Sequence, residues 1–211
     1  MRIELLGGMG VGKTTLCRVF EEIGYNCIYE NLGDNPFLAQ MYEDFDGYKF
    51  PAQISFMLSK FAEIQMKCLP TEINVLDQAT NNYKAYSRML FKDGSDPAGY
   101  EIVCKLFDYI ENRFGHPDLL IYLQVSPETQ LKRIRSRKRS FENGVDLQYL
   151  TNLKNELDQI VEENKEKGVN VVEIDTETIF LPDHHLFAAD LAQDIAKRLN
   201  FCINPLTQKT G

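Results

Sequence analysis

The chain has 211 residues, of which 44% are hydrophobic and 26% charged, and its formal net charge is −8 at pH 7. These values fit one globular α/β domain with a sizeable core, and they argue against nucleic-acid binding over the whole surface. The five cysteines form no C-x-x-C pair, and no apolar run approaches the roughly 18 residues of a membrane span, so we expect a cytoplasmic protein without a membrane partner. Because the first predicted strand begins at Met1, we expect no targeting segment.

The first predicted strand, residues 1–6, leads into a glycine-rich stretch and an amphipathic helix. The stretch at residues 7–15 reads G-G-M-G-V-G-K-T-T, which matches the phosphate-binding pattern G-x-x-x-x-G-K-[ST] between a strand and a helix. The glycines let successive N–H groups face phosphate oxygens, and the helix N-terminus adds free donors. Lys13 would place its charge on the β- and γ-phosphates of a nucleoside triphosphate, and the Thr14 hydroxyl would bind Mg²⁺.

Further strands and helices alternate along the rest of the chain. Apolar runs predict short strands at 26–30, 73–77, 119–125 and 169–175. Helical spacing predicts helices at 37–45, from Pro51 to Pro70 and at 80–91, followed by a helix that ends at Gly115. It also predicts a helix that starts at Pro127, another that ends at Gly168, and a last one from Asp183 to about Leu199. We therefore predict an α/β P-loop NTPase fold with a five-stranded, doubly wound parallel sheet, as one domain at 1–204 with a flexible tail at 205–211.

A cationic segment follows the fourth predicted strand. Residues 132–139 read K-R-I-R-S-R-K-R, with six cationic side chains in eight. The plain interpretation is a solvated helix face or a nucleic-acid patch. However, Arg133 and Arg137 share a helix face, and Arg139 lies where the helix ends. Because the phosphate loop supplies an anionic target, we predict an arginine-rich lid at about 133–145 that closes over the transferring phosphate.

Two carboxylates, Glu30 and Asp77, each end a predicted strand. Either one alone is equally well explained as a helix cap or a surface acid. The pair, at the edge of a parallel sheet where ligands bind, better fits a general base and a Mg²⁺ contact.

From the loop to the last helix, the sequence resembles the deoxyribonucleoside kinases, and among them the bacterial deoxyadenosine and deoxyguanosine kinases. The resemblance is carried by the phosphate loop, by Y-E-N-L-G-D-N-P-F-L at 29–38 with Y-E-D at 42–44, by P-A-Q-I-S-F-M-L-S-K-F at 51–61, and by I-Y-L-Q-V-S-P-E-T-Q-L-K-R-I-R-S-R-K-R-S-F-E at 121–142.

For the acceptor, the resemblance implies that Glu30 is the general base for the sugar 5′-hydroxyl. It implies that Tyr42 and Glu142 hold the deoxyribose 3′-hydroxyl. It also implies that Gln53 hydrogen-bonds the nucleobase.

For the phosphates, the resemblance implies a Mg²⁺ site at Thr14 and Asp77, with Arg133, Arg137 and Arg139 as lid arginines. The expected ATP-binding residues are Gly7, Gly8, Gly10, Val11, Gly12, Lys13, Thr14, Thr15, Arg137 and Arg139.

The sequence departs from the family pattern in three places. The family's Asp/Glu-Arg-Ser motif reads D-Q-A at 77–79, so the uncharged Gln78 replaces an arginine that steadies the base and the transferring group. The positions of the family's base-selecting arginine and aspartate hold Lys60 and Tyr83, and Asn31 follows Glu30 where many members have proline.

Together these features predict Mg-ATP-dependent phosphorylation of a deoxyribonucleoside, preferably a purine one, by Glu30, Lys13, Arg133 and Arg137. One alternative is a kinase-like nucleotide-binding protein with weak or lost catalysis. Another is a nucleoside monophosphate kinase, which is disfavoured because the region around Gln53 and Tyr42 is apolar and uncharged apart from Lys60. The resemblance also implies a homodimer, and the apolar helices at 54–68 and 102–114 fit either its interface or the core.

Overall fold

The computed structural model describes residues 1–137 and 144–177. Its sheet has five parallel strands: Arg2–Leu6 (β1), Asn26–Tyr29 (β2), Asn74–Asp77 (β3), Leu119–Gln124 (β4) and Val171–Asp175 (β5). Their order across the sheet is β2-β3-β1-β4-β5, with every neighbouring pair parallel. The predicted α/β architecture is therefore confirmed.

Seven α-helices occur in the described part of the chain. Their bounds are Lys13–Glu22 (α1), Leu38–Glu43 (α2), Phe45–Lys67 (α3), Thr80–Leu90 (α4), Pro97–Phe114 (α5), Pro127–Ser136 (α6) and Leu147–Glu166 (α7), and a short 3-10 helix spans Leu32–Asp34. None of the described helices is both long and apolar enough to cross a membrane.

The sheet is buried on both faces because helices cover each side. On one face, Leu16 and Phe20 of α1 pack against Leu5 and neighbouring strand residues. On the other face, α4 and α7 pack against Leu6 and Tyr122. This two-sided burial explains the nearly continuous apolar run of β4. Because α1 and α4 leave the adjacent strands β1 and β3 toward opposite faces, a crevice opens between the carboxyl ends of these two strands.

Several predicted boundaries move, and the largest change concerns α3. This helix begins at Phe45 and not at Pro51, because the Asp44 side chain caps it by accepting a hydrogen bond from the Gly47 N–H at 3.1 Å. Pro51 therefore lies inside the helix. The start of α6 is as predicted, with Ser126 as the cap and Pro127 in the first turn.

Smaller shifts affect four strands and two helices. β2 ends at Tyr29, one residue before Glu30, while β3 begins at Asn74, β4 ends at Gln124, and β5 begins at Val171. The helix predicted at 37–45 is the shorter α2, and α4 ends at Leu90. The outer part of the predicted lid, the last predicted helix and the tail at 205–211 lie outside the described residues, so all three stay predictions.

Candidate active site

The phosphate loop connects β1 to α1, and its glycines are required by geometry. A Cβ atom at Gly7 would lie 2.5 Å from the carbonyl oxygen of Leu123, and Gly12 has a φ of 108°. No side chain caps the first turn of α1, and that turn holds no acidic residue. The N–H groups of the first turn are thus available to an anion, as phosphate binding requires.

The Lys13 side chain folds back over the loop. Its ammonium donates hydrogen bonds to the carbonyl oxygens of Gly7 and Gly8, both at 2.7 Å. Burial lowers the pKa of Lys13, while the negative charges of Asp77 and Glu30 oppose this effect. A cation is therefore held at the loop within electrostatic reach of both predicted carboxylates.

Asn82 of α4 fastens the start of the loop. Its Oδ1 accepts a hydrogen bond from the Gly7 N–H at 3.1 Å, and its Nδ2 donates to the Gly7 carbonyl at 2.7 Å. Asn82 is not among the site residues that the sequence predicts. The available signal was the run of polar residues at 80–82 in the first turn of this helix, all of which are buried.

A second set of contacts ties the loop to α6 and to the end of β5. Gln130 donates to the Met9 carbonyl at 2.5 Å, and the Thr176 hydroxyl donates to the Val11 carbonyl at 3.1 Å. Arg133 donates to the Thr176 hydroxyl at 3.2 Å and to the Thr176 carbonyl at 2.6 Å. Its guanidinium thus braces the segment that holds the loop.

One cleft joins the loop to the predicted acceptor residues. Its volume is about 650 Å³. The lining combines the loop residues Lys13 and Thr14 with residues 29–33, Leu38, Met41, Gln53, Phe56, Asp77, Gln78, Tyr83, Tyr86, Leu90, Tyr149 and Arg137, among others. Phosphate-binding groups and carboxylates therefore face the same space.

Glu30 lies immediately after β2, and two donors hold its carboxylate. Gln78 Nε2 and the Tyr83 hydroxyl both donate to Glu30 Oε1, at 3.0 and 2.7 Å. Burial raises the pKa of Glu30, whereas the Tyr83 hydrogen bond and the charges of Lys60 and Lys13 oppose that rise. A partly buried carboxylate with a raised pKa beside a phosphate loop has the character of a general base.

The remaining acceptor residues come from α2, α3 and α4. Gln53 is buried, and its Oε1 accepts a hydrogen bond from the Ser87 hydroxyl at 3.3 Å. Phe56 stacks on Tyr83 with ring centroids 5.9 Å apart. Tyr42 lies within α2. Gln53, Phe56 and Tyr83 offer an apolar slot with an amide on its wall, which suits a planar heterocycle.

The residues suit a Mg²⁺ ion bound largely through phosphate. Thr14 and Asp77 line the cleft together, and Asp77 is buried at the end of β3. Among the described residues, no group of three or more His, Cys, Asp or Glu side chains forms a protein-only metal cage. Mg²⁺ commonly takes one or two protein ligands and completes its shell with substrate phosphates and water, so this donor set fits it.

The model of the deoxynucleoside kinase family matches residues 3–199. The chain belongs to this family. This confirms the resemblance that the sequence motifs indicated.

Two relatives illustrate how similar the chain is to other members of the deoxynucleoside kinase family. The chain is 36% identical over 155 residues to a deoxyadenosine kinase of Dictyostelium discoideum, covering 72% of this chain and 63% of the relative. It is 32% identical over 149 residues to a deoxyguanosine kinase of Lactobacillus johnsonii, covering 66% of this chain and 65% of the relative. The chain thus covers less than two thirds of the length of each relative.

Solved structures support the same fold. The structure of a deoxyadenosine kinase from M. mycoides with bound dCTP superposes with a TM-score of 0.77 at 21% sequence identity, covering 92% of this chain and all of that one. A second structure of the M. mycoides kinase, with bound dATP, gives a TM-score of 0.75 at 23% identity, covering 91% of this chain and 100% of that one.

The structure brings together most, but not all, of the site residues expected for a deoxynucleoside kinase. The phosphate loop, Glu30, Gln53, Asp77 and Arg137 line or face one cleft. Arg133 instead contacts Thr176. Arg139 and Glu142 lie outside the described residues.

Three cations of α3 and α4 are paired with carboxylates. Lys60 is fully buried and pairs with Glu63 at 2.5 Å. Lys84 and Arg88 pair with Glu163 of α7, at 3.0 and 2.5 Å. Neither Lys84 nor Arg88 therefore stands in for the arginine that Gln78 replaces.

Proposed function

We propose that this chain transfers the γ-phosphoryl group of ATP to the 5′-hydroxyl of a deoxynucleoside, with a purine deoxynucleoside as the favoured acceptor. The observation that carries the proposal is the cleft in which Glu30, a partly buried carboxylate held by two donors, faces the same space as Lys13 of the phosphate loop. The relatives named deoxyadenosine and deoxyguanosine kinase support the purine preference.

The described residues divide the reaction among themselves. Gln53 orients the base, and Glu30 accepts the proton of the 5′-hydroxyl as the new O5′–P bond forms. The bond between the γ-phosphorus and the β,γ-bridging oxygen breaks, and ADP leaves. Lys13 and Arg137 neutralise the charge on the phosphates, and the loop N–H groups hold them in place. Mg²⁺, when bound at Thr14 and Asp77, would supply further charge neutralisation.

A second function, nucleotide binding with weak or lost catalysis, is favoured by one observation. Gln78 brings no positive charge to Glu30, and Lys84 and Arg88 are bound to Glu163. Transfer to a nucleoside monophosphate has less support, because the described lining residues from α2, α3 and α4 carry no positive charge for an acceptor phosphate.

A turnover assay with Mg-ATP and each of the four deoxynucleosides, run in parallel with their four 5′-monophosphates as acceptors, separates these functions. The proposal predicts phosphorylation of deoxyadenosine or deoxyguanosine in preference to the pyrimidine nucleosides. Tight ATP binding without turnover of any of the four would support the binding-only function. Turnover of a nucleoside monophosphate alone would support the function of a nucleoside monophosphate kinase.

We also propose that the protein is cytoplasmic and forms a homodimer through α3 and α5. Large apolar side chains are exposed on both helices, including Leu58 and Met66 on α3 and Ile102 and Tyr109 on α5. Sedimentation analysis of the parent and of Leu58→Lys tests this proposal. A parent that sediments as a monomer would exclude it.

A further inference from the structure

The Tyr83 hydroxyl is one of the two donors that fix the carboxylate of Glu30. It donates to Oε1 at 2.7 Å, and Gln78 Nε2 donates to the same oxygen at 3.0 Å. Within residues 1–137 and 144–177, no hydrogen bond to Oε2 occurs. One carboxylate oxygen is therefore anchored to the protein, and the other is left for an acceptor in the cleft.

The ring of Tyr83 is itself held in place. Tyr83 is only 4% exposed and belongs to a buried cluster with Met57, Val103 and Phe107, and its ring stacks on Phe56. Burial and the charge of Glu30 raise the pKa of Tyr83 well above its usual value. The phenol consequently stays protonated at any ordinary pH and acts as a permanent donor.

We propose that Tyr83 is a positioning residue for the phosphoryl transfer: it holds Glu30 in the rotamer that turns Oε2 toward the acceptor hydroxyl. This inference rests on the proposed function, and it assigns that site a residue for which the motif comparison gave only a departure from the family pattern. A packed aromatic ring is a rigid support, because its position is set by the core and not by the ligand.

The hydrogen bond from Tyr83 also affects the titration of Glu30, the proposed general base. The titratable groups that act on Glu30 are Lys13 from α1, Lys60 from α3, Asp77 at the end of β3 and Tyr83 from α4. Of these, Tyr83 alone makes a direct hydrogen bond to the carboxylate among the described residues. Removing this hydroxyl takes away a donor that favours the ionised form, so the pKa of Glu30 rises further.

The test is Tyr83→Phe, which keeps the ring and its stacking and deletes only the hydroxyl. The matched control is Tyr122→Phe. Tyr122 is also a buried tyrosine whose hydroxyl donates to a carboxylate, Asp158 Oδ1, at 2.7 Å, but it lies outside the cleft. Both variants lose a similar hydrogen bond, so a loss of stability alone affects both.

For Tyr83→Phe we expect kcat to fall by at least about 10-fold, while the KM for ATP stays unchanged. The expected factor follows from the net free energy of a hydrogen bond to a charged group, which corresponds to a rate change of this size. The acid limb of its pH–rate profile should move to higher pH. Tyr122→Phe should keep the parental kcat and profile. In parallel, carbon-13 NMR of labelled glutamate follows the Glu30 carboxyl directly, with Glu30→Gln identifying its signal.

The kinetic measurements and the NMR titration of Glu30 together separate this inference from the proposed function. An active parent whose kcat, pH profile and Glu30 titration are all unchanged by Tyr83→Phe overturns the inference and leaves the function standing. An inactive parent overturns the function and the positioning role together. In that case a raised pKa of Glu30 in Tyr83→Phe would still demonstrate the contact.

Discussion

Replacing Glu30 by glutamine should have opposite effects on activity and on stability. The amide keeps the shape of the side chain and can still accept hydrogen bonds from Gln78 and Tyr83, but it cannot accept a proton from the substrate. Loss of a general base typically costs about 10²–10⁴ in rate, which corresponds to roughly 2.7–5.5 kcal/mol. Nucleoside binding should stay near the parental value.

The stability effect follows from the raised pKa of Glu30, whose main cause is burial. Because the folded state binds the proton more tightly than the unfolded state, the ionised carboxylate costs stability at pH values above its folded-state pKa. That cost disappears as the pH falls below the unfolded value of about 4.3. Glu30→Gln should therefore be more stable than the parent at neutral pH, and the difference should vanish in acid.

A matched control is Glu163→Gln. Burial acts to raise the pKa of Glu163, but its hydrogen bonds and ion pairs with Arg88 and Lys84 outweigh burial, and the pKa is lowered. This variant should therefore lose stability at neutral pH and keep its turnover. Steady-state kinetics and thermal unfolding from pH 4 to 8 measure both effects. A loss of less than about tenfold in kcat for Glu30→Gln would show that Glu30 is not the base.

Substitutions at three further positions test other parts of the site. Lys13→Ala should abolish ATP binding by calorimetry and leave the circular dichroism spectrum unchanged, and unaltered affinity would rule out the phosphate-loop assignment. Gln78→Arg should raise kcat at least about tenfold by adding charge beside Glu30, whereas Gln78→Met should lower kcat, and equal rates in all three proteins would refute the role of this donor. Asn82→Ala should raise the KM for ATP and cost about 1–3 kcal/mol of unfolding free energy, because the polar groups of Gly7 lose their partners. A parental KM would exclude the proposed anchoring of the loop.

The features that the sequence predicts well are those set by local pattern. The phosphate loop is recognisable because its glycines, lysine and threonine serve one geometry, and β4 is recognisable because burial on both faces demands a continuous apolar run. The meeting of Glu30 and Asp77 also followed, because parallel strands end at the same edge of the sheet.

The features that escaped prediction depend on contacts between distant segments. The sequence places Tyr83 on a helix, but only the packing of α4 against α3 brings its hydroxyl to Glu30. Likewise, the orientation of Arg133 toward Thr176 depends on where β5 ends. The start of α3 was predicted wrongly because Pro51 is a prominent helix-start signal, whereas the Asp44 cap depends on the geometry of the preceding turn.

The central claim is phosphoryl transfer from ATP to a deoxynucleoside hydroxyl with Glu30 as the base. Phosphorus-31 NMR of a reaction containing Mg-ATP and deoxyadenosine or deoxyguanosine tests it most directly, with Glu30→Gln run alongside. The account predicts a growing signal of the nucleoside 5′-monophosphate matched by ADP, with formation slowed at least about 100-fold in the variant. ADP released together with inorganic phosphate and no monophosphate, or equal rates in the two proteins, would contradict it.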